Sequence, residues 1–200
     1  MLVRYRMSSK VVTVGPQRPL EEVRRLLKQH RIRQLPVVRE HRLVGIVTDR
    51  DLRGAPARAR VAGDVMTRKP LATTPDTPVD DVARVLRTHK INALPVVEKG
   101  KVVGILTAGD VLSAFVELSG AAEPTYRLTL EGCSGARAPL LIRDVIERTR
   151  GELKWLHRDQ RRATVMHVRL KTKRVEDVVD ALEAAGLEVA ALVAPPRTRP

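Results

Sequence analysis

The sequence predicts an α+β chain in two parts: a βαββα unit that occurs twice, then a single βαββαβ unit. Three observations carry this. The chain matches itself without a gap from Met7 on Met66 to Leu52 on Val111, an offset of about 59 residues. Within each copy, apolar residues recur at helical spacing over one stretch and form short β-branched runs over others. After Pro124 the repeat stops and a different order of strand and helix patterns begins.

Each copy opens on a short β-rich segment, Val11 to Val14 or Leu71 to Thr73, closed by Pro16 or Pro75. A helix then starts near Leu20 or Val79. In the first, Leu20, Val23, Leu26 and Leu27 form the apolar face, with Glu at its start and Lys and Arg towards its end, as the helix dipole favours. Val79, Val82, Val85 and Leu86 repeat the stripe. His30 and His89 close the two helices and are expected to cap or pack. Leu35-Pro36-Val37-Val38 and Leu94-Pro95-Val96-Val97 read as strands with Pro near the start. The turns Glu40-His41 and Lys99-Gly100 make hairpins with the strands carrying Gly45 and Gly104. A last helix opens at Thr48 or Thr107 and is longer in the second copy, from about Ala108 to Leu118. Gly54 to Arg60 is a short connection, and Val61 to Met66 is expected to begin the second unit.

From Tyr126 the pattern is strand (Tyr126 to Leu130), Gly-bearing loop (Glu131 to Pro139), helix (Leu140 to Thr149), strand (Glu152 to His157), turn, strand (Ala163 to Leu170), helix (Val175 to Ala185) and strand (Leu187 to Val193). That order is the split βαβ arrangement of ferredoxin-like domains. Gly186 stands where a helix C′ glycine belongs. The expected boundaries are 1–58 and 59–118 for the repeats, 119–125 for a linker, 126–194 for the last domain and 195–200 for a disordered tail.

The chain has 200 residues and a formal charge of +14. Such a charge invites nucleic acid, acidic membrane or anionic small molecules as partners. Arg is scattered instead of blocked, however, and stacking aromatics are few, so nucleic acid is not the expected partner. Cys133 is the only cysteine, which excludes an intrachain disulfide. No signal-like or membrane-spanning stretch is evident, so a cytoplasmic location is expected. His41, His157 and His167 lack metal-ligand spacing, and no metal site is expected. No convergent base, nucleophile or metal set points to an enzyme.

Ile32-Arg33-Gln34-Leu35-Pro36-Val37-Val38 and Ile91-Asn92-Ala93-Leu94-Pro95-Val96-Val97, each followed after a hairpin by Gly-Ile-(Val/Leu)-Thr-x-x-Asp, resemble the tandem CBS pair, or Bateman module, over roughly Met1 to Leu118. The C-terminal part resembles an ACT domain on its topology. The combined order is similar to the CBS-CBS-ACT proteins associated with acetoin utilisation.

The resemblance implies two units about a pseudo-twofold with two clefts for adenosyl ligands, each borrowing from both copies. One would set Asp110, Thr107 and Ile105 against Lys10, Val12, Ile32 and Arg33. The other would set Asp51, Thr48 and Ile46 against Lys69, Leu71, Ile91 and Asn92. A carboxylate can accept from both hydroxyls of a ribose. Thr48 and Thr107 stand where free helix-start amides favour phosphate, and Gly45 and Gly104 would let a ligand approach the backbone. Lys10, Lys69, Arg33 and Arg50 are candidates for the phosphates. Arg33 against Asn92 and Arg50 against Gly109 predict unequal affinities. Thr-x-x-Asp is equally a capping box, and the two roles can coexist.

The expected function is therefore a non-catalytic sensor of AMP, ADP or ATP, or alternatively S-adenosylmethionine, without a catalytic cofactor. It would act through dimer or ACT-domain arrangement on an unidentified regulated protein, as a homodimer. The alternative is a basic nucleic-acid-binding or scaffolding module with purely structural clefts. In Gly132-Cys133-Ser134-Gly135 no base accompanies the thiol. The resemblance makes Gly132 and Gly135 candidates for an amino-acid effector site, although Ala136-Arg137-Ala138-Pro139 departs from the usual ACT pattern there.

Overall fold

The computed structural model describes residues 1–196; of the tail expected over 195–200, Arg197 to Pro200 lie outside the described residues. The chain divides into two compact units, Met1–Ser113 and Ala114–Pro200.

In the first unit, α1 (Leu20–His30), β1 (Gln34–Arg39), β2 (Arg42–Thr48) and α2 (Asp49–Arg53) form one copy. A four-residue α3 (Ala62–Val65) and a two-residue β3 (Thr67–Arg68) follow. Then α4 (Val79–His89), β4 (Ala93–Glu98), β5 (Lys101–Thr107) and α5 (Ala108–Leu118) form the second copy. Leu20, Val23 and Leu27 are buried on α1, and Val79, Val82 and Leu86 on α4, as the helical spacing requires. The sheet runs β1-β2-β5-β4, with β3 on β2. Both hairpins turn through two residues of positive φ, Glu40 and His41 at 51° and 66°, Lys99 and Gly100 at 50° and 79°. This is the mirror-image turn whose twist matches paired strands. The β-rich lead-in segments make single parallel bridges, Val14 to Val37 and Thr73 to Val96, in place of strands.

The lead-ins are crossed between the copies. Val61 to Met66, expected to begin the second unit, packs on the first: Leu20 N donates to Arg60 O (2.9 Å), Ala62 N to Arg18 O (2.8 Å), and Ala62 is buried among Leu20, Val23 and Leu35. Reciprocally, Val79 N donates to Met1 O (2.9 Å) and Val3 N to Thr77 O (2.9 Å), and Val3 is buried with Val82, Leu86 and Leu94. Self-alignment shows which residues correspond; it cannot show which copy a lead-in packs against.

The second unit follows the order β6 (Tyr126–Glu131), α6 (Ala138–Arg148), β7 (Glu152–Arg158), β8 (Met166–Lys171), α7 (Val175–Ala184), β9 (Glu188–Val193). Its sheet is β7-β8-β6-β9 with every neighbouring pair antiparallel. Leu128, Leu130, Val168 and Leu170 point into a core closed by Ile142, Ile146, Val178 and Leu182. Pro139, read as loop from the sequence, lies in the first turn of α6, where its missing N–H costs nothing. Gly186 sits at φ 83° just past the α7 cap residue.

Candidate functional site

The repeated Thr-x-x-Asp stretches place a half-buried carboxylate at the start of a helix in each copy. Both form complete capping boxes. Asp51 Oδ2 accepts from Thr48 N and Thr48 Oγ1, each at 2.8 Å, and Asp51 N donates to Thr48 Oγ1 at 3.2 Å. Asp110 and Thr107 repeat this at 2.7, 2.7 and 3.2 Å. One carboxylate oxygen does the capping. Oδ1 of Asp51 and of Asp110 has no hydrogen bond among the described residues, so a second acceptor role stays open.

Two reasons drawn from sequence need correcting. Three of the helix-start amides are engaged: Thr48 and Asp51 are used in the box, and Asp49 N donates to Arg33 O at 2.9 Å. In the second copy Ala108 N donates to Asn92 O at 2.9 Å. Nor do the strand glycines admit a ligand. A Cβ on Gly45 would lie 2.4 Å from Met66 Sδ, and one on Gly104 2.5 Å from Met7 Sδ. Each glycine makes room for the methionine of a crossed lead-in, which a pattern within one copy does not reveal.

The Asp51 side opens on a cavity of about 450 Å³, within the size range of small-molecule sites. Ile46, Thr48 and Asp51 line it from the first copy, and Lys69, Leu71, Ile91 and Asn92 from the second, together with Arg33 and Arg50. His89, Lys90, Asp49, Thr67 and Pro70 also line it, and these the sequence reading missed. The place of His89 at the end of α4 predicts only capping or packing. Lys90 takes the left-handed residue after α4 (φ 52°), as Arg31 does after α1 (φ 52°). The signal was a basic residue at one equivalent place in both copies.

The other side is different. A cavity of about 400 Å³ is lined by Ile32, Arg33, Thr107 and Gly109, with Arg31, Gln34, Asn92 and Ala108. Asp110, Ile105, Lys10 and Val12 are not on its wall. Val12 packs against the core of the first copy, and Lys10 is exposed. Where the first cavity has Arg50, this one has Gly109. Lys69 is held at φ 48°, a left-handed conformation not shared by Lys10.

In the second unit Cys133 is fully buried, and burial pushes its thiol up from 9.0 against a smaller opposing effect of Arg158. Such a thiol is a poor nucleophile. The Gly-bearing loop is tied internally: the Arg158 guanidinium donates to Cys133 O (2.7 Å), Gly135 O (2.9 Å) and Ala163 O. Gly132 and Gly135 serve this loop with φ of 74° and 75°. Among the described residues no group of three or more His, Cys, Asp or Glu could hold a metal, and no helix is long and apolar enough to cross a membrane.

Two packed copies with basic cavities at their seam define a paired-repeat binding module. The CBS domain family model matches residues 3–58 and 62–117, and the chain belongs to that family. It is 31% identical over 115 residues to the CBS domain-containing protein YhcV of Bacillus subtilis, covering 54% of this chain and 81% of that one. It is also 40% identical over 102 residues to inosine-5′-monophosphate dehydrogenase of Korarchaeum cryptofilum, 50% of this chain but 21% of the dehydrogenase. The chain thus spans about a fifth of that enzyme, in its CBS region and not its catalytic domain. Among solved structures, the CBS domain pair of protein MJ0100 in complex with 5′-methylthioadenosine and S-adenosyl-L-methionine matches at 32% identity and TM-score 0.56, over 62% of this chain and 98% of that one. CBSX2 in complex with AMP matches at 32% and 0.56, over 58% and 97%; CBSX2 is from Arabidopsis thaliana.

Proposed function

We propose that this chain is a non-catalytic regulatory sensor that binds an adenosyl ligand between its CBS repeats, with the Asp51 cavity as the principal site. The observation that carries this is the convergence of Thr48, Asp51, Ile46, Lys69, Leu71, Ile91 and Asn92, from both repeats, on one cavity of about 450 Å³. The unengaged Asp51 Oδ1 accepts from the ribose, while Ile46, Leu71 and Ile91 flank the purine. Arg33, Arg50, Lys69 and Lys90 outnumber Asp49 and Asp51 on the wall. This charge balance favours AMP, ADP or ATP over the cationic sulfonium of S-adenosylmethionine, and the nucleotides with more phosphate most. The relatives solved with AMP and with S-adenosylmethionine support the adenosyl class.

On the same reading, Thr107, Ile32 and Arg33 serve the second, weaker site, with Asp110, Lys10, Val12 and Ile105 reached only on rearrangement. The βαββαβ unit is an ACT-like domain, and the working state is a homodimer. The ligand acts by binding one arrangement of chains more tightly than another.

A thermal-shift panel with AMP, ADP, ATP, S-adenosylmethionine, NADH and cyclic di-AMP tests this on the parent, Asp51→Ala and Asp110→Ala. A ligand at 100 times its dissociation constant stabilises by about 2.7 kcal/mol. The shift is expected with ATP or ADP and is lost in Asp51→Ala. No shift with any member of the panel refutes the sensor; a shift retained in both variants refutes the site.

A further inference from the structure

The outer face of the second unit's sheet carries an arrangement that the adenosyl function does not use. Strand register places Trp155, Arg169, Arg127 and Val193 side by side in one row across all four strands, and His157, His167, Thr129 and Ala191 in the next. Trp155 and His157 are stacked, ring centroids 5.3 Å apart and planes 18° from parallel. Arg127 and Arg169 are directly paired across β6 and β8, where like charges repel. Neither has an ion pair among the described residues, and both border a cavity of about 290 Å³. No position in the two rows is acidic. Asp159 accepts from the amides of Arg161 (2.7 Å) and Arg162 (2.9 Å) and lies 3.3 Å from His167 Nε2. Glu123, which borders the same cavity as the two arginines, is paired with Lys154 Nζ at 3.1 Å. Glu131 and Glu188 pair with each other one row further on.

We infer that this face binds single-stranded nucleic acid, with a base on the Trp155–His157 stack and phosphates at Arg127 and Arg169. A pair of flat rings offers a surface to any base, and two adjacent guanidiniums beside a carboxylate, Glu123, that is already paired with Lys154 call for an anion. A four-stranded antiparallel sheet presenting rings and cations is a known way of splaying a single strand. Self-association through the same face is disfavoured, because two copies would bring four unpaired guanidiniums together. The count of Phe, Tyr and Trp concealed this surface, since its second ring is a histidine.

Trp155 is the only tryptophan in the chain, so its fluorescence reports the face directly. The full chain is titrated with 16-mers of oligo(U) and oligo(dT), and with heparin as a polyanion without bases. Saturable quenching by the oligonucleotides is expected. Binding followed by labelled-oligonucleotide anisotropy falls about tenfold in Trp155→Leu and recovers in Trp155→Phe. Arg127→Gln with Arg169→Gln lowers the slope of log affinity against log salt by about 1.4. Unchanged circular dichroism and melting temperature show that each variant is folded, and any variant that is not is replaced by His157→Ala, expected to weaken binding several-fold. The inference is overturned by oligonucleotide affinity unchanged in these variants, by heparin quenching Trp155 as the oligonucleotides do, or by Trp155→Leu converting a dimer to a monomer while leaving oligonucleotide binding intact.

Discussion

Asp51 and Asp110 each do two things with one carboxylate. Oδ2 closes a capping box and Oδ1 makes no hydrogen bond among the described residues, so the capping and ligand readings of Thr-x-x-Asp are not rivals. Removing either side chain should cost about 1 kcal/mol of stability through loss of its hydrogen bonds from the Thr amide and hydroxyl, measurable by urea denaturation. Only at Asp51 should a large loss of nucleotide affinity accompany it. Gly45→Ala should destabilise by about 1 to 3 kcal/mol, because its Cβ would meet Met66 Sδ and Cγ and lie 3.1 Å from Thr67 O. Adding Met66→Ala should recover part of that loss in a double-mutant cycle; additive costs would show that the methionine is not the obstacle. Cys133, buried with its thiol pushed up, should resist a thiol reagent in the native chain and react once urea unfolds it. At this scale the sequence was most informative where a residue acts within its own repeat, as Thr48 on Asp51. It misled where the partner comes from elsewhere in the chain, as Met66 on Gly45.

Helices and strands were largely legible, because each has an apolar stripe and a recognisable start or stop. The α1 and α4 spans begin at Leu20 and Val79, where Pro19 and Pro78 end the preceding segments. The β-rich lead-ins were overread, since one bridge each is all that forms before Pro16 and Pro75 interrupt pairing. On α5, Leu112, Phe115 and Leu118 are 62%, 56% and 59% exposed, and their spacing puts them on one stripe. If the dimer forms through this helix, Phe115→Asp should yield monomers in light scattering without lowering the melting temperature. In the β7–β8 connection Asp159 is held below its ordinary value of 3.8, first by the amides of Arg161 and Arg162 and then by His167. Its contribution is fully present above 3.8 and is lost as pH falls through the lower folded value. The melting-temperature gap between the parent and Asp159→Asn should therefore be widest near neutral pH and close in strong acid. A gap independent of pH would show that the carboxylate charge does not matter there.

For the molecule as a whole, duplication accounts for both cavities, and substitutions between the copies for their different linings. Each repeat is completed by the lead-in that precedes the other in sequence, so the two copies pack as one unit. Their shared seam then presents two cavities built from corresponding residues. Drift between the copies made them unlike: Arg50 against Gly109, and the left-handed Lys69 against Lys10. The repeat and its substitutions were readable in one dimension. The crossing of the lead-ins, the positions of Lys90 and His89 and the ring stack on the outer sheet are three-dimensional outcomes without a local signature. Isothermal titration of the full chain with ATP tests the Asp51 cavity most directly. A tight event of one ligand per chain is expected, abolished in Asp51→Ala and preserved in Asp110→Ala. Heats equal in the parent and Asp51→Ala, or a tight event lost only in Asp110→Ala, would contradict this expectation.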